Sequence, residues 1–172
     1  QCQIQEGMNI LELGCGDGAL WTQNLSRLPS NVHITLSDIS EGMLRDARRA
    51  IGGEDSRFSF MAFDCHNIPS ELGNFDLVIA NHVLFYCQDI GKVCQNITKL
   101  LNPEGRFLCS TYGSRHMREV SLLVQSFDER IVLSADKLYE RFGRENGTDN
   151  LSPYFRQITW KTYKDELIVT DA

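Results

Sequence analysis

The chain lacks the features that mark membrane-spanning, secreted and nucleic-acid-binding proteins. No apolar run approaches the ~20 residues of a membrane-spanning helix, and no apolar core of a secretory signal stands near the start of the sequence. Basic residues are not in excess either: the formal net charge is −6, whereas a polyanion-binding protein is usually basic. We therefore expect a cytoplasmic protein that binds neither a membrane nor nucleic acid.

The cysteines lack the spacing that metal sites and disulfide frameworks use. None of the six forms a C-x-x-C pair, and most stand among apolar residues, which is typical of reduced, buried thiols. On paper, Cys87 and Cys94 could form a zinc site with His82 or His66, but their spacing fits no standard zinc template. We therefore predict no metal site.

What the chain does have is an alternation of apolar, β-branched segments with amphipathic ones, over 172 residues of which 42% are hydrophobic. This pattern predicts one α/β domain built on a doubly wound, mostly parallel sheet. The predicted strands are Met8–Leu13, Val32–Leu36, Phe58–Phe63, Phe75–Ala80 and Arg106–Thr111. The predicted helices are Ala19–Leu28, Ser40–Ala50, Ile90–Leu101, Met117–Phe127 and Ala135–Phe142, and Arg144–Asn150 is predicted to be a polar loop. Two last apolar runs, Tyr154–Trp160 and Glu166–Val169, predict an antiparallel hairpin at the edge of the sheet.

The rest of the chain is organised around residues 9–21, which read NILELGCGDGALW. An apolar strand there runs into three glycines, Gly14, Gly16 and Gly18, and then into a helix. Glycines in such a loop reach positive φ without a steric clash and let a ligand lie directly against the backbone. The segment is therefore the first half of a βαβ unit with a ligand site at its turn.

Two classes of ligand compete for this loop. Gly14, Gly16 and Ala19 match the G-x-G-x-x-G/A pattern of dinucleotide sites, and Asp38 lies about 20 residues on, as that pattern requires. A nicotinamide or flavin is therefore one option. Glu12, however, would project beside the ligand, where it would repel a pyrophosphate and attract an ammonium group. S-adenosylmethionine has such an ammonium and no phosphate, so we favour it over NAD(P).

The run ELGCGDG, Glu12–Gly18, resembles the glycine-rich first motif of the class I S-adenosylmethionine-dependent methyltransferases. The order of predicted elements is similar to that family's Rossmann-like, seven-stranded sheet, which ends in an antiparallel strand. The resemblance covers nearly the whole chain and implies S-adenosylmethionine as cofactor and S-adenosylhomocysteine as product. It divides the single domain 1–172 into a cofactor-binding core, 1–112, and an acceptor-side part, 113–172. The family usually has a helix or two before the first motif, so we expect the domain to be trimmed, at both ends.

The resemblance implies roles for the polar residues near the methionine and ribose groups of the cofactor. Glu12 and Asp17 would shape the loop and hold the methionine ammonium. The backbone of the loop would contact the cofactor at Gly14, Cys15, Gly16 and Gly18. The segment LSDIS resembles the second motif, in which Asp38 takes both ribose hydroxyls through its two acceptor oxygens.

Further residues are implied to contact adenine and the sulfur end of the cofactor. Ile39 and Met43 would pack on adenine, although Met43 could equally belong to the core. In MAFDCHNIP, which resembles the third motif, Asp64 would accept from the adenine amino group and the backbone N–H of Cys65 would donate to the ring. Asn81, in IANHVLFY, would contact the methionine end.

Candidates for the acceptor side follow the fourth and fifth strands. The run Asn81–Leu84 differs from the Asp/Asn-Pro-Pro-aromatic motif of enzymes that methylate DNA bases, so a small-molecule acceptor is expected. His82, Tyr86 and His116 are the candidates for a general base, which in-line methyl transfer needs only when the acceptor must lose a proton.

Two alternatives to a small-molecule methyltransferase stay open on these grounds. One is an NAD(P)-dependent oxidoreductase of Rossmann type. The other is a cofactor-binding module without catalytic activity. Stabilisation by NAD(P), or cofactor binding without turnover, would distinguish them. The oligomeric state and the acceptor itself have no signature in the sequence.

Overall fold

A five-stranded parallel sheet forms the centre of the molecule in a computed structural model, which describes residues 3–133, 135–163 and 168. Its strands are β1 (Asn9–Leu13), β2 (His33–Asp38), β3 (Phe58–Ala62), β4 (Phe75–Asn81) and β5 (Leu101–Ser110). They lie in the order β3-β2-β1-β4-β5, and every pair of neighbours is parallel. Strands β2 and β3 extend the sheet on one side of β1, and β4 and β5 extend it on the other, so the strand order reverses between β1 and β4. In α/β sheets, ligands bind at such a point, outside the carboxyl ends of the strands.

Six α-helices connect or follow the strands within the described residues. They are α1 (Ala19–Thr22), α2 (Glu41–Ile51), α3 (Ile90–Leu100), α4 (Arg118–Phe127), α5 (Ala135–Arg141) and α6 (Gly147–Leu151). Short 3-10 turns lie at Leu25–Arg27, Cys65–Asn67, Ser70–Leu72 and Leu84–Tyr86. None of these described helices has the length and apolar content that crossing a membrane requires.

Both faces of the sheet are buried, as expected for parallel strands. Ile10 and Leu11 are consecutive residues of β1, so their side chains point to opposite faces, yet each has an exposed fraction of 0%. Ile10 belongs to a cluster with Trp21 of α1 and Ala47 of α2. Leu11 belongs to a second cluster that contains Val93 of α3. The predicted doubly wound parallel arrangement is thereby confirmed.

Polar caps fix where the two longest connecting helices begin. At α2, the hydroxyl of Ser40 accepts a hydrogen bond from the backbone N–H of Met43 at 3.3 Å, which confirms the predicted cap. At α3, the carboxylate of Asp89 accepts from the backbone N–H of Lys92 at 2.8 Å. The caps set the start of each helix and therefore the direction in which the preceding loop leaves the sheet.

The first predicted helix, Ala19–Leu28, is broken in the structure. α1 ends at Thr22, and a separate 3-10 turn covers Leu25–Arg27. Asn24 causes the break: its side-chain amide donates to the carbonyl of Leu20 at 2.7 Å, and its backbone is not helical. The side chain of Asn24 thus takes the Leu20 carbonyl that its own backbone N–H would need to continue the helix.

Two predicted boundaries in the second half of the chain are also wrong. β5 begins at Leu101 instead of Arg106, and an irregularity in its pairing with β4 absorbs the turn between these residues. The segment Arg144–Asn150, predicted as a polar loop, contains most of α6. Leu151, at the end of that helix, is buried in the core, and this anchor outweighs the polar composition of the preceding residues.

The predicted terminal hairpin is not observed within the described residues. Its first strand, Tyr154–Trp160, is irregular chain held by side-chain packing, as where Phe155 stacks on Phe107 of β5 with ring centroids 5.2 Å apart. Its second strand, Glu166–Val169, lies outside the described residues except for Ile168. The described chain therefore has five parallel strands.

Candidate functional site

The glycine loop after β1 is left-handed at all three predicted glycines, with φ of 68° at Gly14, 55° at Gly16 and 77° at Gly18. A methyl group on Gly14 would lie 2.5 Å from Cγ2 of Val83, and one on Gly18 would lie 3.1 Å from Cβ of Ala47. Packing and conformation therefore both require glycine at these two positions. At Gly16 no atom lies within 4 Å of such a methyl group, so a ligand has room against the backbone there.

Asp38, at the carboxyl end of β2, ties the loop to the neighbouring strand. Its Oδ2 accepts from the backbone N–H of Gly16 at 3.0 Å, and its Oδ1 accepts from that of Ser40 at 2.8 Å. The loop is held a second time where the N–H of Cys15 donates to the carbonyl of Ser37 at 2.9 Å. Each carboxylate oxygen has about two lone pairs, so Asp38 keeps the capacity to accept from hydroxyl groups of a ligand.

Glu12 is buried in the core, whereas the sequence predicted a carboxylate that projects beside the ligand. Its exposed fraction is 2%, and its Oε2 accepts from the indole Nε1 of Trp21 at 2.6 Å. Burial raises the pKa of Glu12 from 4.5 to about 7, although hydrogen bonds from Trp21 and Asn81 oppose the rise. The negative charge of Asp38 adds to it. Glu12 and Asn81 therefore share one buried polar site at the ends of β1 and β4.

Asp64 stands in the equivalent place after β3 and is fixed by its neighbour. Its Oδ1 accepts from the backbone N–H of His66 at 2.8 Å and lies 2.6 Å from the ring Nδ1 of the same residue. These bonds hold the pKa of Asp64 below its ordinary value. The ring Nε2 of His66 accepts from the backbone N–H of Asp89 at 3.3 Å, which places the ring proton on Nδ1. Asp64 is therefore an oriented, charged acceptor.

The five described cysteines are free thiols. Within the described chain, one group of three neighbouring residues, Asp64, Cys65 and His66, brings metal-binding atoms within 4.8 Å of one another. Both ring nitrogens of His66 are already hydrogen-bonded, so the group is satisfied without an ion. Cys87 and Cys94 form no such group with a histidine among these residues.

The residues predicted to contact adenine follow Asp38 and lie at the surface. Ile39 is 75% exposed and Met43 is 45% exposed, so the alternative that placed Met43 in the core is wrong. Asp17 is also exposed, and its Oδ1 accepts from the backbone N–H of Ala19 at 3.1 Å. Asp17 therefore shapes the start of α1, while the two apolar side chains offer a surface on which a flat ring can lie.

Five ring-bearing residues, which we call the aromatic cluster, meet beyond the carboxyl ends of β4 and β5: His82, Phe85, Tyr86, Tyr112 and His116. The rings of Tyr112 and His116 are stacked with centroids 4.4 Å apart, and Tyr112 also lies 4.9 Å from Phe85. The ring of Phe85 is 4.7 Å from that of Tyr86. The structure thus brings all three candidates for a general base into one cluster.

Tyr112 is the centre of the aromatic cluster, and the sequence analysis did not select it. It contacts His82, Phe85 and His116, with the His82 centroid 6.2 Å away. It lies two residues after Ser110, the last residue of β5, which pairs with Asn81 of β4. The sequence signal that could have identified Tyr112 is an aromatic residue just after a predicted parallel strand. Tyr86, by comparison, is 66% exposed and stands at the rim.

His82 has an unusual backbone for a residue with a side chain. Its φ is 55°, and its N–H donates to the carbonyl of Ser110 at 3.2 Å, which joins β4 to β5 at their ends. Non-glycine residues rarely adopt this region, and those that do gather at functional sites. Burial, together with the nearby charge of His116, lowers the pKa of His82. The imidazole is therefore neutral, and able to accept a proton, at neutral pH.

A cavity of about 550 Å³ lies at the opposite edge of the sheet, beside the amino ends of β1, β4 and β5. Its polar lining includes Glu6, Asp76, Glu104 and Arg106. Ligands of α/β sheets bind at the carboxyl edge instead. The site built from the sequence lies at that edge and is therefore separate from this cavity.

Comparison with known proteins agrees with this geometry. A family described as a methyltransferase domain matches residues 4–158. A malonyl-[acyl-carrier protein] O-methyltransferase of Legionella pneumophila is 31% identical over 111 residues, which cover 64% of this chain and 38% of that protein. A reducing polyketide synthase of Botryotinia fuckeliana is 29% identical over 122 residues, which cover 68% of this chain and 5% of the synthase. The chain therefore spans well under half the length of these relatives.

A solved structure gives the same result for the fold. An S-adenosylmethionine-dependent methyltransferase from Mesorhizobium loti aligns with a TM-score of 0.58 and 27% sequence identity. The alignment covers 68% of this chain and 52% of that protein. The fold of this chain is therefore similar to that of an S-adenosylmethionine-dependent methyltransferase.

Proposed function

The chain belongs to the class I S-adenosylmethionine-dependent methyltransferase family, and from this premise we propose that it transfers a methyl group in line to a small-molecule acceptor. The crevice at the carboxyl ends of β1 to β4 would hold the cofactor. The aromatic cluster would border the acceptor.

The bonding of the glycine loop is the observation that carries this proposal. Four loop N–H groups already have partners inside the protein: those of Cys15, Gly16, Gly18 and Ala19. Two of these N–H groups donate to carboxylates, Asp38 and Asp17. A pyrophosphate needs a local positive potential as well as N–H donors, and the carboxylates of Asp38 and Asp17 make the potential at this loop negative. A ligand with hydroxyls and an ammonium group suits it, which favours S-adenosylmethionine over a dinucleotide.

The donor and acceptor pattern fits the nucleoside part of the cofactor. The oxygens of Asp38 would accept from the two ribose hydroxyls while keeping their bonds to the backbone. Asp64 would accept from the adenine amino group, and the N–H of Cys65 would donate to the ring. Ile39 and Met43 would cover the two-ring face of adenine, because they are apolar and exposed. The open space at Gly16 would let the cofactor lie along the loop.

At the methionine end, we assign Glu12 and Asn81. Glu12 is buried, so its contribution is a negative potential beneath the loop that favours the ammonium group. Asn81 supports Glu12 from the neighbouring strand. An ammonium at this place would lower the pKa of Glu12 and release its proton, since an opposite charge favours the ionised form.

The bound cofactor would supply an activated methyl group on a sulfonium, so the protein has mainly to align the acceptor and exclude water. Alignment alone contributes about 7–11 kcal/mol in favourable cases. Where the acceptor must lose a proton, His82 is the proposed general base, because its lowered pKa leaves the imidazole neutral. A base of this kind contributes about 10²–10⁴-fold. Tyr86 and His116 would then shape the acceptor pocket.

Ligand-induced stabilisation tests the cofactor part of this proposal. S-adenosylmethionine and S-adenosylhomocysteine should each raise the melting temperature, because a ligand that binds the native state stabilises it by mass action. Asp38→Ala should abolish this shift. Asp46→Ala, which changes an exposed aspartate of α2, is the matched control and should keep it. A shift with NAD or NADP, and none with S-adenosylhomocysteine, would contradict the proposal.

Methyl transfer itself tests the reaction. S-adenosylmethionine with a labelled methyl group would be incubated with a panel of acceptors, beginning with malonyl-[acyl-carrier protein], which the relative from Legionella pneumophila is named for. Product formation that His82→Ala reduces by about 10²-fold or more would support the base. Cofactor binding without transfer to any acceptor would favour a catalytically silent module.

We also propose that the sheet extends beyond five strands at the free edge of β5, as in the seven-stranded sheet of the family, and that the irregular segment Tyr154–Trp160 is not one of the added strands. That edge has no strand partner among the described residues, and its Leu108 is 40% exposed. The division into a core, 1–112, and an acceptor-side part, 113–172, belongs to the same proposal. Slow amide exchange in residues 166–169 would support the added strands, and fast exchange would contradict them.

A further inference from the structure

Two thiols lie side by side next to the proposed adenine site. The Sγ atoms of Cys65 and Cys87 are 3.4 Å apart, although 22 positions separate these residues in the chain. Cys65 begins the 3-10 turn that follows β3, and Cys87 directly follows the 3-10 turn Leu84–Tyr86 after β4. Both are free. The fold therefore holds two unpaired sulfurs a short movement away from bond formation.

The surroundings of the pair make its members unequal. The hydrogen bond between the two sulfur atoms lowers the pKa of Cys87, while the same interaction and burial raise the pKa of Cys65. Burial and the nearby Asp64 and Cys94 oppose this lowering of the Cys87 pKa, while the positive charge of Arg141, whose Nη1 donates to the carbonyl of Phe85 at 3.4 Å, adds to it. The direction of these pKa shifts favours Cys87 as the nucleophile, although this residue is 3% exposed, and the half-buried Cys65 lies in contact with it and can resolve it.

We propose that Cys65 and Cys87 form an oxidative modification site that closes to a disulfide when it meets a hydroperoxide. The Cys87 thiolate attacks the peroxide oxygen, the O–O bond breaks, and a sulfenic acid and one water molecule are formed. The Cys65 sulfur then attacks the sulfenic sulfur and expels a second water molecule. The two thiols are oxidised by two electrons in total, and one hydrogen peroxide is reduced to two water molecules.

The crosslink would act on the cofactor site. Cys65 follows Asp64 directly, and Cys87 follows Tyr86 of the aromatic cluster, so the bond would tie the adenine side of the crevice to the acceptor side. Closing the gap from 3.4 Å to a bond of about 2.05 Å pulls these two turns together. This consequence rests on the proposed function: we expect S-adenosylhomocysteine to bind about tenfold more weakly, which corresponds to one lost hydrogen bond.

A metal ion is a weaker explanation of the same thiols. A tetrahedral site would need His66 or Asp64 beside the two sulfurs. The two ring nitrogens of His66 are occupied by Asp64 and Asp89, and Cys87 does not join the group of metal-binding atoms formed by Asp64, Cys65 and His66.

Peptide mapping of the oxidised chain tests the modification directly. The folded protein would be treated with hydrogen peroxide, blocked with N-ethylmaleimide and digested with trypsin without a reductant. The peptide 58–92 contains Cys65 and Cys87 and no other cysteine, since no Lys or Arg lies between Arg57 and Lys92. We expect it to lose two hydrogen atoms and to carry no maleimide, and a reductant should reverse both changes.

Variants make the outcome specific. Cys87→Ser should leave Cys65 free for maleimide, and Cys65→Ser should leave a sulfenic acid on Cys87 that a dimedone probe captures. Cys109→Ser, which changes a thiol of β5, should leave the crosslink intact. Maleimide on both cysteines after peroxide treatment, or a crosslink from either one to another cysteine, would overturn the proposal.

Binding measurements on the undigested protein, before and after peroxide treatment, distinguish the two proposals. A crosslinked protein whose affinity for S-adenosylhomocysteine falls about tenfold, and recovers on reduction, would support both. Crosslinking with no binding by either form would leave the modification site standing and refute the proposed function. Crosslinking with unchanged affinity would overturn the claimed effect on the cofactor site.

Discussion

Replacing Glu12 by glutamine should change how the stability of the protein depends on pH. Glu12 is 2% exposed, and burial raises the pKa of its carboxyl from 4.5 to about 7. Between these values the folded protein holds a proton that the unfolded chain has lost. The contribution of Glu12 to stability is therefore fully present below about pH 4.5 and is lost as the pH rises to about 7. Glutamine is of similar shape, keeps an oxygen that can accept from Trp21 and does not titrate.

The size of the effect follows from the pKa. Each pKa unit is worth about 1.4 kcal/mol, so a rise from 4.5 to about 7 corresponds to about 3 kcal/mol over the whole titration. Between pH 5 and pH 8 the part that is lost is about 2.5 kcal/mol. Relative to the wild type, the Glu12→Gln variant should therefore gain about 2.5 kcal/mol in free energy of unfolding over this range.

Urea unfolding at several pH values measures this difference. Subtracting the variant from the wild type removes the contributions of the other titrating groups, which both proteins share. The matched control is Glu54→Gln, which changes an exposed glutamate in the turn after α2 and should show no such pH-dependent difference. A difference between wild type and Glu12→Gln that is flat from pH 5 to pH 8 would refute the reasoning.

Three further predictions concern the glycine loop and the aromatic cluster. Gly14→Ala should lower the free energy of unfolding by about 2–4 kcal/mol, because it combines positive φ with a contact to Val83 of 2.5 Å, and urea unfolding measures this. Gly16→Ala should cost only about 1 kcal/mol, yet it should remove binding of S-adenosylhomocysteine, which calorimetry measures. Tyr112→Leu should lower kcat and have a smaller effect on the KM for S-adenosylmethionine, because Tyr112 positions His82 and His116.

Each of these has a clear contrary result. Equal stability of Gly14→Ala and Gly16→Ala would mean that the contact with Val83 is relieved at little cost. Undiminished binding by Gly16→Ala would place the cofactor away from the loop. A rise in the KM for S-adenosylmethionine without a change in kcat for Tyr112→Leu would assign Tyr112 to cofactor binding, and Phe107→Leu, on β5 outside the cluster, is the control.

The parts of the structure that depend on short-range sequence patterns were predictable. The strand–glycine–helix run around Gly14 and the cap at Ser40 appear where the sequence placed them. Their causes are local, since positive φ and a side-chain cap involve neighbouring residues. The alternation of apolar segments gave the parallel sheet for the same reason. The break at Asn24 was missed because a side chain there competes with the helix for one carbonyl.

The parts that depend on distant contacts were not predictable in detail. The sequence predicts that Glu12 projects toward the ligand, because no local pattern indicates that Trp21 of α1 covers it. The aromatic cluster joins residues from two loops that are distant in the sequence. Tyr112 lies near His82 only because β4 and β5 pair. The predicted strand Tyr154–Trp160 has no strand partner in the described chain, and its Tyr154 and Phe155 pack on the core instead.

The measurement that tests the central claim most directly is a crystal structure of the protein with S-adenosylhomocysteine bound. We expect the ribose hydroxyls within hydrogen-bond distance of the Asp38 carboxylate and the adenine amino group near Asp64. The sulfur should point toward the aromatic cluster. Density for the ligand beside the amino ends of the strands, or a nucleoside that leaves Asp38 without a contact, would contradict the account.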